Sequence, residues 1–318
     1  MNIVVLDAYT ANPGDLSWNA LKSLGNVILY DRTPPSETAA RARDAEIVLT
    51  NKVILDAPTL DNLPKLKYVG VLATGTNVVD CAHARERGVV VTNIPQYSTE
   101  SVVQATMAHL FNIASSYVAN VNSTRNGEWC SCADFSYTTG PLVELSGKRL
   151  GIVGYGTIGK RVAQVAIALG MNVVAYGPRL ALGKRSDGVE AVALEQLFQT
   201  CDVVSLHCPL TEATRFLVNA ERISSMKKGS WLINTGRGPL LDEQAVANAL
   251  RSGQLGAVGL DVLSTEPPAP TNPLLSAPNC YITPHNAWAS FEARQRLITI
   301  AVDNIKAFLE NHPQNVVN

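Results

Sequence analysis

Short apolar runs alternate with amphipathic stretches from the first residues of the chain onward. In the first hundred residues, segments with helical periodicity, such as Asp15–Leu24 and Val79–Arg87, separate five apolar runs. This alternation is typical of βαβ units and predicts a parallel sheet. The predicted strands of this part are Asn2–Asp7, Val27–Tyr30, Glu46–Thr50, Lys67–Leu72 and Val89–Asn93.

A second alternating set follows a long apolar segment, Ser98–Arg125, which we expect to form one largely buried helix. Its strands are apolar on both faces, as parallel strands covered by helices are. The last segment, Phe291–Leu309, has the pattern of an amphipathic helix. The predicted strands of the second set are Arg149–Gly154, Asn172–Gly177, Asp202–His207, Ser230–Thr235, Ala257–Val262 and Cys280–Thr283.

The pattern therefore predicts an α/β protein with two doubly wound parallel-sheet domains, and a chain of 318 residues is long enough for both. Boundaries near Pro95–Glu100 and Pro284–Ser290 place residues 1–98 and 286–318 in one domain and residues 99–285 in the other. The chain then returns to its first domain at the end.

Composition removes several classes of function. The formal net charge of −1 gives no basic excess for nucleic acid or an anionic membrane. The first residues do not have the pattern of a signal peptide and no apolar run reaches membrane-spanning length, so we expect neither a signal peptide nor a membrane span. Its six scattered cysteines indicate reduced thiols in a cytoplasmic protein, and Cys130 and Cys132 lack the second pair that a zinc site needs. We expect no metal site.

The stretch Gly154–Gly159 reads G-x-G-x-x-G between a predicted strand and the helix-like segment Thr157–Leu169. In that context Gly154 permits a tight turn, Gly156 lets the backbone approach a pyrophosphate, and Gly159 allows close helix–strand packing. The helix start offers free N–H groups and a partial positive charge to the phosphates. We therefore predict a dinucleotide site.

The end of the next strand bears on the choice of cofactor. Gly177 stands where many NAD-binding sites have an acid for the ribose 2′-hydroxyl, and Arg179 follows it. Without a carboxylate, a guanidinium can bind a 2′-phosphate in bidentate fashion. This favours NADP over NAD. The alternatives are that Arg179 stacks on the adenine or that both cofactors bind.

Three residues distant in sequence follow predicted strands of the second set: Arg237, Glu266 and His285. Because parallel strands end at one edge of a sheet, we expect these side chains to meet there. Arg237 can hold the carboxylate and carbonyl of a 2-keto acid with its planar fork. His285 can supply a proton to the developing alkoxide, with Glu266 orienting the imidazole and favouring its charged form.

The chain contains the spaced motifs GYGTIG, NTGRGPLLDE, DVLSTEPP and TPHNAW. Together they resemble the D-2-hydroxyacid dehydrogenases, and within them the glycerate dehydrogenases or hydroxypyruvate reductases. The resemblance covers essentially the whole chain and implies a nucleotide-binding domain with the Rossmann fold, a flavodoxin-like substrate domain and hydroxypyruvate or glyoxylate as substrate. VLATGTNVVD resembles the substrate loop of the family, and VVSLHCPLTEAT resembles its loop facing the cofactor.

Carried over residue by residue, the resemblance assigns Arg237 and Glu266 as the catalytic Arg and Glu and His285 as the acid–base. It gives Thr74 and Gly75 to the substrate carboxylate through their backbone N–H groups. It places Thr157 and Ile158 over the pyrophosphate. Around the nicotinamide half it places Pro209, Thr214, Thr235, Gly236 and Asp261.

The resemblance also implies a homodimer joined through the nucleotide-binding domains. The stretch Trp129–Pro141 resembles the arm that reaches across the dimer, with Phe135 and Tyr137 near the neighbouring active site. The chain departs from the family at Gly177, at Gly236, where Ala or Ser is common, and at Gln104, where many members have Glu. The sequence gives no mechanistic account of Gln104.

Other readings use the same scaffold. A phosphoglycerate dehydrogenase needs cationic groups for a phosphate and often has a regulatory tail, which we do not expect beyond the last helix here. A formate dehydrogenase fits less well, because a proton-transferring His–Glu pair serves hydroxyl chemistry. A dinucleotide-sensing protein similar to corepressors belongs to a different class, and fold likeness alone does not exclude it.

Overall fold

A computed structural model describes all residues, 1–318, and divides the chain into two compact units. One consists of Met1–Ser98 and Trp288–Asn318, and the other of Thr99–Ala287. No helix combines the length and the apolar character that crossing a membrane requires.

Thirteen strands and twelve α-helices are numbered here in chain order. The strands are β1 (Asn2–Val5), β2 (Asn26–Leu29), β3 (Ile47–Thr50), β4 (Tyr68–Val71), β5 (Val90–Thr92), β6 (Arg149–Val153), β7 (Asn172–Tyr176), β8 (Arg185–Ser186), β9 (Val189–Ala191), β10 (Val203–Leu206), β11 (Ser230–Asn234), β12 (Leu255–Leu260) and β13 (Cys280–Ile282). The helices are α1 (Ala8–Ala11), α2 (Asn19–Lys22), α3 (Thr38–Ala42), α4 (Ala57–Asp61), α5 (Cys81–Glu86), α6 (Thr99–Ser115), α7 (Tyr117–Arg125), α8 (Thr157–Ala168), α9 (Leu194–Thr200), α10 (Ala220–Ser225), α11 (Glu243–Ser252) and α12 (Phe291–Leu309).

The first unit contains a five-stranded parallel sheet in the order β2-β1-β3-β4-β5. That order is the flavodoxin-like one. Two of the three inner strands, β3 and β4, are buried along their whole length, as strands covered on both faces must be. Helix α12 begins at Ser290, whose hydroxyl accepts from Ala293 N at 3.2 Å, and its buried face contributes to the core of this unit. The end of the chain thus contributes to the core of the first unit.

The second unit contains an eight-stranded sheet in the order β13-β12-β11-β10-β6-β7-β9-β8. All neighbours are parallel except β8, which pairs with β9 in antiparallel fashion at the edge. The strand order reverses between β6 and β10, which are direct neighbours. In open α/β sheets the crevice beyond the carboxyl ends of such a pair is where ligands bind. The predicted fold class, with one Rossmann sheet and one flavodoxin-like sheet, is confirmed.

The single helix predicted for Ser98–Arg125 is wrong. The structure has two helices there, α6 and α7, because Ser116 takes a left-handed backbone conformation with φ of 48°. The side chain of Asn112 then accepts from Val118 N at 2.9 Å and starts the new helix direction. Such a polar contact to the backbone competes with the helical ladder, and apolar periodicity carries no sign of it.

The helix predicted for Asp15–Leu24 is also too long, because only the four residues of α2 are helical. Asn12 holds the preceding stretch as a loop, since its side-chain oxygen accepts from Gly14 N and Leu16 N, both at 3.0 Å. The short strands β8 and β9 were not predicted. They are only two and three residues long, too short to show an apolar period.

Candidate active site

The glycine turn lies between the end of β6 and the start of α8, at the switch point of the second sheet. Gly154 has φ of 99°, and a Cβ there would lie 2.4 Å from Cys208 N. A Cβ on Gly159 would lie 2.2 Å from the carbonyl oxygen of Gly154. Both glycines are therefore required by the packing of the protein itself. A Cβ on Gly156 would meet nothing within 4 Å, so the space where its side chain would stand is open.

A cleft of about 660 Å³ opens beside this turn. Gly156 immediately precedes α8 and no side chain caps the helix, so the first N–H groups, beginning at Thr157 and Ile158, are available to a ligand. Three basic side chains also line the cleft: Lys160, Arg161 and Arg179. A cradle of backbone donors, helix dipole and cations suits the pyrophosphate of a dinucleotide. The residues present fit that group.

The end of β7 lies at the same cleft. Gly177 follows the strand, and a Cβ there would lie 3.6 Å from Tyr155 N and from Leu180 Cγ, which is ordinary contact. The side chain of Arg179 is exposed and lines the cleft. No carboxylate follows the strand directly.

Two of the basic residues, Lys160 and Arg161, were not predicted as site residues. The Nε of Arg161 lies 3.2 Å from both carboxylate oxygens of Glu100, so its charge is already paired. Lys160 has its Nζ 5.8 Å from the ring centroid of Tyr155 and forms no ion pair. Their sequence signal is that both directly follow the third glycine of the turn.

The loop after β11 carries Arg237, and the buried side chain of Asn234 shapes it. Asn234 Oδ1 accepts from Gly236 N at 3.0 Å, and its Nδ2 donates to Arg237 O at 2.9 Å. Arg237 donates from Nη1 to Gly236 O at 2.8 Å and leaves its other guanidinium donors without a protein acceptor. A Cβ on Gly238 would lie 2.0 Å from Leu263 C, so this glycine lets the loop that carries Glu266 pass closely.

Glu266 and His285 form a direct pair. Glu266 Oε2 lies 2.5 Å from His285 Nδ1, with side-chain exposures of 31% and 24%. The other oxygen, Oε1, accepts from Leu263 N at 2.9 Å and fixes the carboxylate. His285 has φ of 49°, a conformation that side-chain-bearing residues rarely adopt and that clusters at functional sites.

Other predicted positions have their polar groups engaged by the protein. The hydroxyl of Thr214 accepts from Thr211 N at 2.7 Å and contacts Pro209 O at 2.8 Å, so it shapes its own loop. The buried hydroxyl of Thr235 lies 3.0 Å from that of Thr106. The carboxylate of Asp261 is 2% exposed and accepts several hydrogen bonds from the chain around His285.

His207, on the loop after β10, adjoins the glycine turn, because a Cβ on Gly154 would lie 2.5 Å from His207 C. Its Nε2 is 2.9 Å from Ser205 Oγ. Burial lowers the pKa of His207 to about 4, so the imidazole is neutral at pH 7.

In the first unit, the substrate loop predicted around Thr74 and Gly75 follows β4. The hydroxyl of Thr74 donates to Ile94 O at 2.8 Å, and Thr74 O accepts from Asn93 Nδ2 at 2.7 Å. The backbone N–H groups of Thr74 and Gly75 donate to no protein acceptor. Backbone donors without a protein acceptor are groups that can bind a carboxylate ligand.

The segment Trp129–Pro141 lies on the surface of the second unit. Phe135 is 91% exposed and Trp129 53% exposed. Tyr137 instead turns inward, with its hydroxyl 2.6 Å from Ser123 Oγ. Gln104 is exposed on α6, and nothing in the structure explains the choice of an amide there.

Comparison with known proteins identifies the family of this chain. The family described as D-isomer specific 2-hydroxyacid dehydrogenase, NAD binding domain, matches residues 107–287. A hydroxypyruvate reductase of Blautia hydrogenotrophica is 46% identical over 100% of both chains. A glycerate dehydrogenase of Methylorubrum extorquens is 43% identical over 91% of this chain and 90% of that protein.

Among solved structures, an acyclic imino acid reductase in complex with NADPH and D-Arg has a TM-score of 0.88 at 28% identity, over 100% of both chains. The predicted class of enzyme and the nicotinamide dinucleotide cofactor are confirmed. The chain belongs to the D-isomer specific 2-hydroxyacid dehydrogenases.

Proposed function

We propose that this dehydrogenase reduces hydroxypyruvate to D-glycerate, with glyoxylate as a second substrate. The observation that carries the proposal is the His285–Glu266 pair at 2.5 Å. The two residues lie on the loops that follow β13 and β12, and the neighbouring loop after β11 carries Arg237. The similar proteins named hydroxypyruvate reductase and glycerate dehydrogenase support the choice of substrate.

In the proposed reaction Arg237 binds the carboxylate and carbonyl oxygen of the keto acid through its free guanidinium donors. When bound, the dinucleotide supplies a hydride for the carbonyl carbon. His285 gives a proton to the oxygen from Nε2, because Nδ1 is held by Glu266. The carboxylate keeps the ring oriented as the proton leaves. In the reverse direction Nε2 takes the hydroxyl proton.

We assign the first unit to substrate binding. Thr74 and Gly75 would hold the substrate carboxylate through the N–H groups that the protein leaves free. Because the Thr74 hydroxyl is already committed to Ile94 O, the contact would be made by the backbone. A substitution of Thr74 that keeps the backbone conformation should therefore change the affinity for the substrate little.

We assign the cofactor contacts to the glycine turn with Thr157 and Ile158, and we propose a preference for NADP over NAD. Gly177 presents no carboxylate to repel a 2′-phosphate, and Arg179 lines the same cleft with an unpaired guanidinium. The residues proposed around the nicotinamide half remain Pro209, Thr214, Thr235, Gly236 and Asp261.

We further propose a homodimer joined through the second unit, with Trp129–Pro141 covering the partner. The exposed aromatics Trp129 and Phe135 are the kind of side chain that protein interfaces bury. Light scattering on the wild type and on Phe135→Ser tests this. A wild type that is monomeric at micromolar concentration contradicts the proposal, and a monomeric variant of a dimeric wild type supports it.

The cytoplasm is the compartment we propose. All six cysteines are free thiols in the structure, which suits a reducing environment. Thiol trapping in fractionated cells tests this, since a protein recovered outside the cytoplasmic fraction or with disulfides would contradict it.

A matrix of substrates and cofactors tests the function. Hydroxypyruvate, glyoxylate, pyruvate and phosphohydroxypyruvate are assayed against NADH and NADPH, with kcat/KM as the readout. We expect the largest kcat/KM for hydroxypyruvate with NADPH. A maximum with phosphohydroxypyruvate would assign a phosphoglycerate-type enzyme, and dinucleotide binding without any turnover would favour a sensor.

A further inference from the structure

A second histidine lies behind the catalytic loop. His109, on α6, is only 6% exposed, and its Nε2 lies 3.2 Å from Thr283 Oγ1. Strand β12 accommodates the ring through Gly259, where a Cβ would lie 2.7 Å from His109 Cβ. The imidazole is therefore packed against the sheet and bonded to the loop that leads to His285.

The direction of the hydrogen bonds follows from counting protons. The carboxylate of Asp261 only accepts, and Thr283 Oγ1 lies 2.6 Å from its Oδ1, so the single hydroxyl proton points to Asp261. The hydroxyl oxygen must then accept from His109, which places the His109 proton on Nε2. Burial lowers the pKa of His109, in keeping with a neutral ring that carries one proton.

This series of hydrogen bonds reaches the backbone on both sides of His285. Asp261 Oδ1 also accepts from Asn286 N at 3.0 Å, and Oδ2 accepts from Ala287 N at 2.9 Å. On the other side, His285 N donates to Thr283 O at 2.9 Å. The left-handed backbone of His285 is thus held on both sides by groups that Asp261 and Thr283 connect.

We propose that His109 is a positioning residue for the reaction. Through Thr283 and Asp261 it fixes the backbone of His285, and so the meeting of His285 Nδ1 with the Glu266 carboxylate. The inference rests on the proposed acid–base role of His285. The effect of His109 is carried by the hydrogen bonds that link it through Thr283 to Asp261.

Two matched pairs of variants test the proposal. His109→Leu and Thr283→Val remove the hydrogen bonds while keeping similar volume, and His109→Gln and Thr283→Ser restore a donor and a hydroxyl. We expect His109→Leu and Thr283→Val each to lower kcat about 10-fold, since small misplacements of catalytic groups are costly. KM and the dinucleotide Kd should stay within about twofold. Each conservative variant should recover most of the loss.

Two further readouts separate positioning from packing. The double variant His109→Leu/Thr283→Val should lose little more than either single one, because both break one chain. The pH profile of kcat/KM should also shift in its acid–base limb, because the His285–Glu266 geometry loosens. Additive losses, no rescue and an unshifted profile would overturn the proposal.

The test of His109 does not depend on the folding of every variant. If His109→Leu fails to fold, the Thr283→Val and Thr283→Ser pair decides the matter by the same kcat ratio and pH profile. The ratios are measured on whichever keto acid the wild type turns over fastest. An error in the assigned substrate would therefore change the wild-type matrix, and leave the variant-to-wild-type ratios to judge His109.

Discussion

The two halves of the second sheet present function in different ways. In the half built from β6, β7 and β9, backbone groups form the candidate site: a glycine turn, a helix start and an open face at Gly156. In the half built from β10 to β13, side chains form it, namely Arg237, Glu266 and His285. The first half depends on the absence of side chains and the second on the exact placement of a few.

The difference lies in what supports each half. A backbone cradle needs only room, and Gly154 and Gly159 provide it because a Cβ would clash with main-chain atoms. A side-chain site needs supporting hydrogen bonds, such as those of Asn234 to the Arg237 loop and of Asp261 to the His285 loop. Substitutions in the two halves should therefore impair the protein in different ways.

The largest effect should follow from His285→Ala in the side-chain half. We expect kcat for the keto acid to fall by about 10²–10⁴-fold, the usual contribution of a general acid–base group. The dinucleotide Kd should change by less than about twofold, because the backbone cradle is untouched. Steady-state kinetics and fluorescence titration measure both, with the exposed His312→Ala as control. Unchanged kcat would remove the acid–base assignment.

The glycines test the backbone half as a matched pair. Gly159→Ala places a Cβ 2.2 Å from Gly154 O, so the free energy of unfolding should fall by about 1–3 kcal/mol. Gly156→Ala meets nothing within 4 Å and has extended backbone, so stability should hold or rise by about 0.4–1 kcal/mol. Its cofactor Kd should nonetheless rise by about 10-fold or more, because the methyl fills the space for the pyrophosphate. Urea unfolding and cofactor titration separate the two losses.

Equal effects of both glycine variants on stability would contradict the division between packing and binding. So would full cofactor affinity in Gly156→Ala, since the open face would then serve no ligand.

The same contrast explains what the sequence could predict. The sheets and the glycine turn follow from apolar runs and glycine spacing, which act locally. The break at Ser116 and the pairing of Arg161 with Glu100 were missed, because they depend on polar contacts between positions without a period. Arg237, Glu266 and His285 were predicted from their positions after strands, and the structure brings Glu266 and His285 together. His109 and Thr283 gave no signal, because their partners lie far away in sequence.

Arg179 is one of three basic side chains in the half whose phosphate cradle is built mainly from backbone groups, so it sharpens the comparison. Arg179→Ala should lower the preference for NADPH over NADH by about 10-fold, the scale of a charge-assisted hydrogen bond to a phosphate. Affinity for NADH should change little. Lys184→Ala, another exposed basic residue just beyond the same strand, is the control. An equal loss for both cofactors would show that Arg179 does not read the 2′-position.

The smallest effect concerns the junction of the two halves, where the His207 loop adjoins Gly154. The pKa of His207 falls from its ordinary 6.5 to about 4 on folding, so between these values the unfolded chain binds more protons than the folded protein. Stability contributed by the neutral ring is therefore present above pH 6.5 and is lost as the pH falls toward 4. Allowing for the partial exposure of the side chain, the loss should be on the order of 1–2 kcal/mol. In His207→Gln, chemical denaturation from pH 7 to pH 4 should show a shallower decline by that amount, whereas His312→Gln should follow the wild type. A decline as steep as that of the wild type in His207→Gln would mean that the junction carries no buried neutral imidazole.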